Sequence, residues 1–300
     1  MKHIITDLKE TFRRGTIFIQ LIYINVGIFV IGMLIHVFLQ LFALGAPDVF
    51  SIFALPASFM AFIRQPWSLL TYMFMHAGTL HILFNMLWLY WFGSLFLYFF
   101  SAKHLRGLYV LGGICGGLLY MVAYNVFPLF TPQVAGSTLV GASASVLAIV
   151  AATAYREPNY RVQLFLFGAV RLKYLALIVV GMDVISITSS NGGGHIAHLG
   201  GALAGLWFAA NLNKGVDLTS WINRMLDGVA SLFQKNAWKR KPKMKVHYSN
   251  NTDREKDYDY NARKKAQSDE VDRILDKLKK SGYNSLTTEE KKSLFDASKR

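Results

Sequence analysis

Six apolar runs dominate the first two thirds of the chain, separated by short polar or proline-broken stretches: Thr16–Leu44, His81–Ser101, Gly107–Phe127, Gly141–Ala154, Tyr174–Thr188 and His195–Asn211. The first three are long enough to cross about 30 Å of hydrocarbon. The fourth is short, as suits a helix buried in a bundle with one end wet. The third carries Gly112, Gly113, Gly116 and Gly117 and so predicts close helix contact. Between the first two runs, residues 45–80 are apolar but broken by Pro47, Pro56 and Pro66. That pattern predicts a loop partly embedded in the membrane, its backbone satisfied by surrounding protein. The reading is an all-α, polytopic membrane protein with a six-helix bundle over 16–213, preceded by a short cytoplasmic lead over 1–15.

Beyond the sixth run the pattern changes. Leu218, Trp221, Ile222, Met225, Leu226, Val229, Leu232 and Phe233 recur at helical spacing. Together with the basic run Lys235–Lys245 they define a segment, 214–245, that lies on the inner leaflet or packs on the protein's own cytoplasmic face. The remainder, 246–300, predicts a disordered linker over Asn250–Ala266 and then a helical hairpin of Val271–Lys280 and Thr288–Ser298. Thr287-Thr288-Glu289-Glu290 is a capping signature for its second helix. A hairpin of this kind is a module for a cytoplasmic partner, not for catalysis.

The formal charge of +14 suggests nucleic acid until it is located: 19 of the 32 basic residues fall between Lys235 and Arg300, in the polar tail. Charge placed so is a solvated or lipid-facing surface, and no nucleic-acid partner is expected. Other Lys and Arg residues collect before the first run, between the second and third, and between the fourth and fifth. Arg64 stands alone on the opposite side. Both termini are therefore expected in the cytoplasm, with the even-numbered spans starting at the outer surface. The single cysteine, Cys115, excludes a disulfide framework. The polar N-terminus and long first run argue against a cleavable signal peptide.

This orientation brings scattered polar residues to one depth. His81 and Asn85 open the second span, Ser143 the fourth, and His195 and His198 the sixth. In Gly141-Ala142-Ser143-Ala144-Ser145 the small residues suit helix packing, and Ser145 is read as a packing residue. Ser143 differs because histidines meet it. A serine becomes a nucleophile when an adjacent base takes its proton, and the oxyanion that follows needs N–H donors aimed at it. His81, Asn85 and the Ser143 N–H can supply them. Asp183 is placed deeper in the fifth span, so a Ser–His dyad is expected rather than a triad. Zinc on His76, His81, His195 and His198 lacks both an HExxH motif and a nearby carboxylate. A transporter would show broken helices and a repeat. No metal or cofactor is expected.

These motifs resemble those of the rhomboid intramembrane serine proteases. His81-Ile82-Leu83-Phe84-Asn85, preceded by His76, is similar to the family's HxxxN. Gly141-Ala142-Ser143 is similar to its GxS, and Ala197-His198-Leu199-Gly200-Gly201 with Gly205 to its AHxxG and GxxxG pattern. The resemblance spans roughly Trp67–Leu212 and implies the bacterial six-helix form with a cytoplasmic C-terminal extension. It implies Ser143 as nucleophile, His198 as general base and His81, Asn85 and the Ser143 N–H as the oxyanion hole, with His195 as the rival base. Gly201 and Gly205 would bring the sixth helix against the fourth, and His76 would bond within the embedded loop. The implied activity is cleavage of transmembrane segments of membrane proteins, in the inner (plasma) membrane. The alternative is a catalytically silent relative that binds membrane helices. Two positions depart: Trp67-Ser68 stands where Trp-Arg is usual, and Leu147 where some members stack an aromatic on the histidine.

Overall fold

The computed structural model describes residues 10–12, 14–43, 51–164, 168–232 and 251–298. The basic run Lys235–Lys245 and most of the N-terminal lead lie outside them. The chain divides into two compact units, 1–237 and 238–300.

The first unit is built on six helices: α1 (Ile17–Leu41), α4 (Thr79–Phe99), α5 (Ala102–Val126), α6 (Ser143–Arg156), α7 (Leu172–Ile185) and α8 (Gly192–Leu212). Short helices α2 (Phe59–Arg64) and α3 (Ser68–Thr71) fold the connection between α1 and α4. Among the described residues α1, α4 and α5 are long and apolar enough to cross a membrane, and α6 is a shorter apolar helix. The centre of the bundle is α6, whose residues from Ala144 to Ala154 are all buried. The reason lies in the residues at its neighbours. A Cβ added to Gly201 would lie 2.0 Å from the Ala144 carbonyl oxygen, and one on Gly205 would lie 2.1 Å from that of Ala148. On the other flank, one on Gly112 would meet the Ala148 methyl at 2.4 Å. In a solvent as apolar as the side chains themselves, helices associate through such close backbone contact. Ser145 sits in this interface, fully buried against Gly113 and Met73.

Only the first half of α1 joins the bundle, through Phe18, Leu21 and Asn25. Asn25 donates to Tyr109 Oη at 3.1 Å, and Tyr109 donates to the Met73 carbonyl at 3.0 Å. The second half exposes Leu34, Phe38 and Leu41, an apolar surface suited to lipid.

The proline-broken connection is not free of the bundle. Strand β1 (Leu55–Pro56) pairs antiparallel with β2 (Thr138–Leu139), just ahead of α6. Side chains cap its remaining carbonyls: Trp67 Nε1 donates to Ile52 O at 2.9 Å, Thr71 Oγ1 to Phe53 O at 2.8 Å and Asn125 Nδ2 to Ala57 O at 2.8 Å. Ser68 is fully buried inside it.

Several expected boundaries move. Helix α5 begins at Ala102, because Ser101 Oγ accepts the His104 N–H at 3.2 Å and caps it. Lys103, His104 and Arg106 therefore lie on the helix rather than in a link. The basic connection between α6 and α7 is a hairpin of β3 (Arg161–Leu164) and β4 (Gly168–Arg171). The alternating exposure of β4 fits a ribbon with one wet face. Helix α9 (Ser220–Leu232) packs on the start of α5: Asn223 Nδ2 donates to Lys103 O at 3.0 Å, and Arg106 donates to Asn223 Oδ1 at 2.9 Å and Asp227 Oδ1 at 2.8 Å. Its other apolar residues, Trp221, Met225 and Val229, stay exposed.

In the second unit, α10 (Asn251–Ser281) runs through the stretch expected to be a linker. Its Arg, Lys, Glu, Gln and Ala residues are strong helix formers, and low hydrophobicity alone does not oppose a helix. Gly282, at φ 76°, ends it. Ile274 and Leu286 are buried where it meets α11 (Thr288–Ser298). The capping box is present: Thr287 Oγ1 accepts the Glu290 N–H at 3.2 Å, and Glu290 Oε2 accepts the Thr287 N–H at 2.8 Å. Glu290 also accepts from Lys277 Nζ at 2.9 Å, which with the Thr287 N–H holds its carboxyl below the usual glutamate range. Thr287→Ala should weaken the start of α11 by about 1 kcal/mol. Hydrogen exchange of the 288–291 amides should rise about fivefold; unchanged exchange would mean the cap contributes nothing.

Candidate active site

Three helix starts converge at one end of the bundle. Ser143 is the first residue of α6, so its N–H has no partner within the helix. The preceding Gly141 has φ 133°, a conformation L side chains rarely adopt, and its N–H donates to Tyr72 O at 3.0 Å. A Cβ there would lie 2.9 Å from His81 Nε2 and 3.5 Å from Ser143 Oγ. The glycine thus lets one imidazole and the hydroxyl close on the same point. A cleft of about 760 Å³ gathers His81, Asn85, Ser143 and His198, with Trp88 of α4 and Val179 of α7 at its sides.

The hydrogen bonds fix what each group offers. The Ala77 N–H donates to His81 Nδ1 at 3.4 Å, so the neutral ring carries its proton on Nε2, the nitrogen near Ser143. His81 therefore presents a donor. Asn85 Nδ2 donates one hydrogen to His81 O at 3.0 Å, leaving the second for the cleft. With the Ser143 N–H, at the positive end of a helix, these are three donors around one hydroxyl.

Asp183 is where the structure departs most from the sequence reading. Its carboxylate is not set apart from the histidines. Oδ1 lies 2.8 Å from His198 Nδ1 and 2.8 Å from His195 Nδ1. Helix α7 ends at Ile185 rather than Thr188, so Asp183 occupies its last turn, level with the first turn of α8. A carboxylate only accepts, so both rings donate from Nδ1 and His198 keeps a lone pair on Nε2. The expectation that no carboxylate reaches the histidines is corrected. The signal was present: Asp183 is the one acidic residue inside any of the six apolar runs, and such residues are functional by default.

Of the two departing positions, Leu147 is the one that lies at the site. Leu147 is buried beside the cleft and offers no ring to stack on His198; Asp183 fixes that ring instead. His76 is buried with His81 edge-on at 5.2 Å. Among the described residues neither of its ring nitrogens has a partner in strict hydrogen-bond geometry.

The fold and cleft define a polytopic helical membrane protein with a serine, two histidines and a carboxylate at one end of its bundle. The chain belongs to the rhomboid family: residues 63–214, about half of it, match the Rhomboid domain. Residues 254–300 match DUF6576, a family of unknown function. The chain is similar to RHOMBOID-like protein 12, mitochondrial, of Arabidopsis thaliana, with 29% identity over 157 residues, 49% of this chain and 47% of that protein. It thus spans about half the length of the curated relative it matches.

Proposed function

We propose that the chain is an intramembrane serine endopeptidase acting on transmembrane segments of membrane proteins. The observation that carries this is the fixed tautomer of His198. With Nδ1 on Asp183 in a cleft that His198 and Ser143 both line, the neutral ring would offer Nε2 as the base that serine attack requires. Ser143 Oγ would attack the scissile carbonyl as His198 Nε2 takes its proton. The oxyanion would be met by His81 Nε2–H, Asn85 Nδ2–H and the Ser143 N–H. His198 would then return the proton to the leaving amine, and water would release the acyl group by the same route. The arrangement reads as a triad with Asp183 behind the base, rather than the dyad expected from sequence.

The cleft lies between α4 and α7, and α7 buries only Leu172 and Asp183. This loosely held helix favours lateral entry from lipid. A peptide bond in a membrane helix is shielded by its own hydrogen bonds, so a substrate must unwind in the wet cleft before it is cut. Small residues and glycine lower that cost. The same reading places both termini in the cytoplasm, with the protein in the inner (plasma) membrane.

A fluorophosphonate probe tests the assignment directly. The wild-type protein in detergent should be labelled on one serine, located by mass spectrometry at Ser143, and Ser143→Ala should lose the label entirely. An unlabelled wild type would instead favour a catalytically silent binder of membrane helices.

A further inference from the structure

The pair of histidines on one carboxylate is more than a triad needs. A base requires a single orienting acceptor, yet Asp183 Oδ1 holds His195 Nδ1 and His198 Nδ1 alike, each at 2.8 Å. Its second oxygen, Oδ2, is buried with no hydrogen-bond partner among the described residues, and the residue is 5% exposed. Three donor atoms of the two types zinc prefers, imidazole nitrogen and carboxylate oxygen, all lie within 4.8 Å of one another. In a tetrahedral site with bonds of about 2.0–2.1 Å, ligand atoms stand roughly 3.3 Å apart. To admit an ion the two N···O distances have to open from 2.8 Å, and no ligand pair, at 4.8 Å or less, has to close by more than about 1.5 Å. Both histidines project from the first two turns of α8 onto Asp183 with about a fifth of each side chain exposed, so solvent reaches both rings.

We propose that Asp183, His195 and His198 form a binding site for a divalent transition ion of the zinc class, and that the ion silences Ser143. The silencing follows from tautomer chemistry and rests on the protease reading. To bind metal through Nδ1, the His198 ring must give up its Nδ1 proton and carry one on Nε2 instead. The neutral ring keeps one proton throughout, so the ion displaces no net charge from it. The Nε2 lone pair that would accept the Ser143 proton is gone. His195 has a role in this account that the catalytic one leaves blank: it supplies the third ligand.

The experiment uses the full-length protein in detergent, stripped of metal by a chelator. Calorimetric titration with Zn²⁺ should give one site of micromolar or tighter affinity, and Co²⁺ should give the intense visible absorption of a tetrahedral site. His195→Gln, and separately Asp183→Asn, should abolish both signals while eluting in gel filtration like the wild type. Fluorophosphonate labelling at Zn²⁺ about ten times the dissociation constant should slow roughly tenfold, and chelator should restore it. No saturable binding, or binding that survives both substitutions, overturns the site. Binding without slowed labelling overturns the silencing. A wild type that resists the probe even without metal overturns the protease reading, and the titration still decides the ion site.

Discussion

His198→Ala should lower cleavage of a tagged single-span substrate by about 10⁴-fold, the range for loss of a general base. The reason is geometric. His198 is the ring that both lines the cleft with Ser143 and anchors Nδ1 on Asp183. His195 shares the anchor but does not line the cleft, so His195→Ala in chelator should retain most of the activity. If the two variants behaved the other way round, the base would be His195. Asp183→Asn separates orientation from proton transfer. An amide can donate to Nδ1 and so favours the wrong tautomer of His198, and a loss of roughly 10²–10⁴ in kcat with little change in KM is expected. An Asp183→Asn enzyme with normal turnover would return the mechanism to a dyad.

The second large effect is structural. Gly201→Leu places a side chain where a Cβ alone would lie 2.0 Å from the Ala144 carbonyl oxygen. The obstacle is backbone, which cannot rotate aside, so α8 must retreat from α6. Overpacking of this kind costs about 1–3 kcal/mol and often more. His198 sits one turn earlier on the same helix, so retreat also separates base from nucleophile. Thermal unfolding in detergent should occur at a clearly lower temperature, and cleavage should be lost. Gly27→Leu is the control: a Cβ there meets nothing within 4 Å, and stability should hold. A Gly201→Leu protein as stable and active as the Gly27→Leu one would show that close approach of the two helices is unnecessary.

How much of this was legible in the sequence follows from the range of the signals. The six helices rest on runs of apolar residues, a local pattern, and each was placed within a few residues of its observed bounds. Charge counts in the loops led to the expectation that Ser143, His81 and His198 share one end of the bundle, and one cleft gathers them. Asp183 was misplaced because its depth depended on where the fifth helix stops, and an apolar run gives no sharp stop: Ile187 and Thr188 continue the pattern past Ile185. The β3–β4 hairpin was missed for a similar reason. Its pairing joins Arg161 to Arg171, and although Arg161–Leu164 alternates polar and apolar residues, four residues are too short a run to stand out beside a basic link. Helix α10 was mistaken for a linker because composition poor in apolar residues speaks to burial, not to helix propensity.

The order in which the chain is made gives the arrangement on α7 and α8 another meaning. On the protease reading, Ser143 and its oxyanion donors leave the ribosome before the carboxylate at 183 and the base at 198, and domains assemble from the N-terminus as they emerge. A nascent or truncated chain ending before residue 198 holds the hydroxyl without a base. Nothing in its bundle can cut a neighbouring segment during insertion. The last membrane helix to emerge, α8, completes both the packing of α6 and the reactivity of its first residue. A protease built this way would be armed only when the bundle is whole.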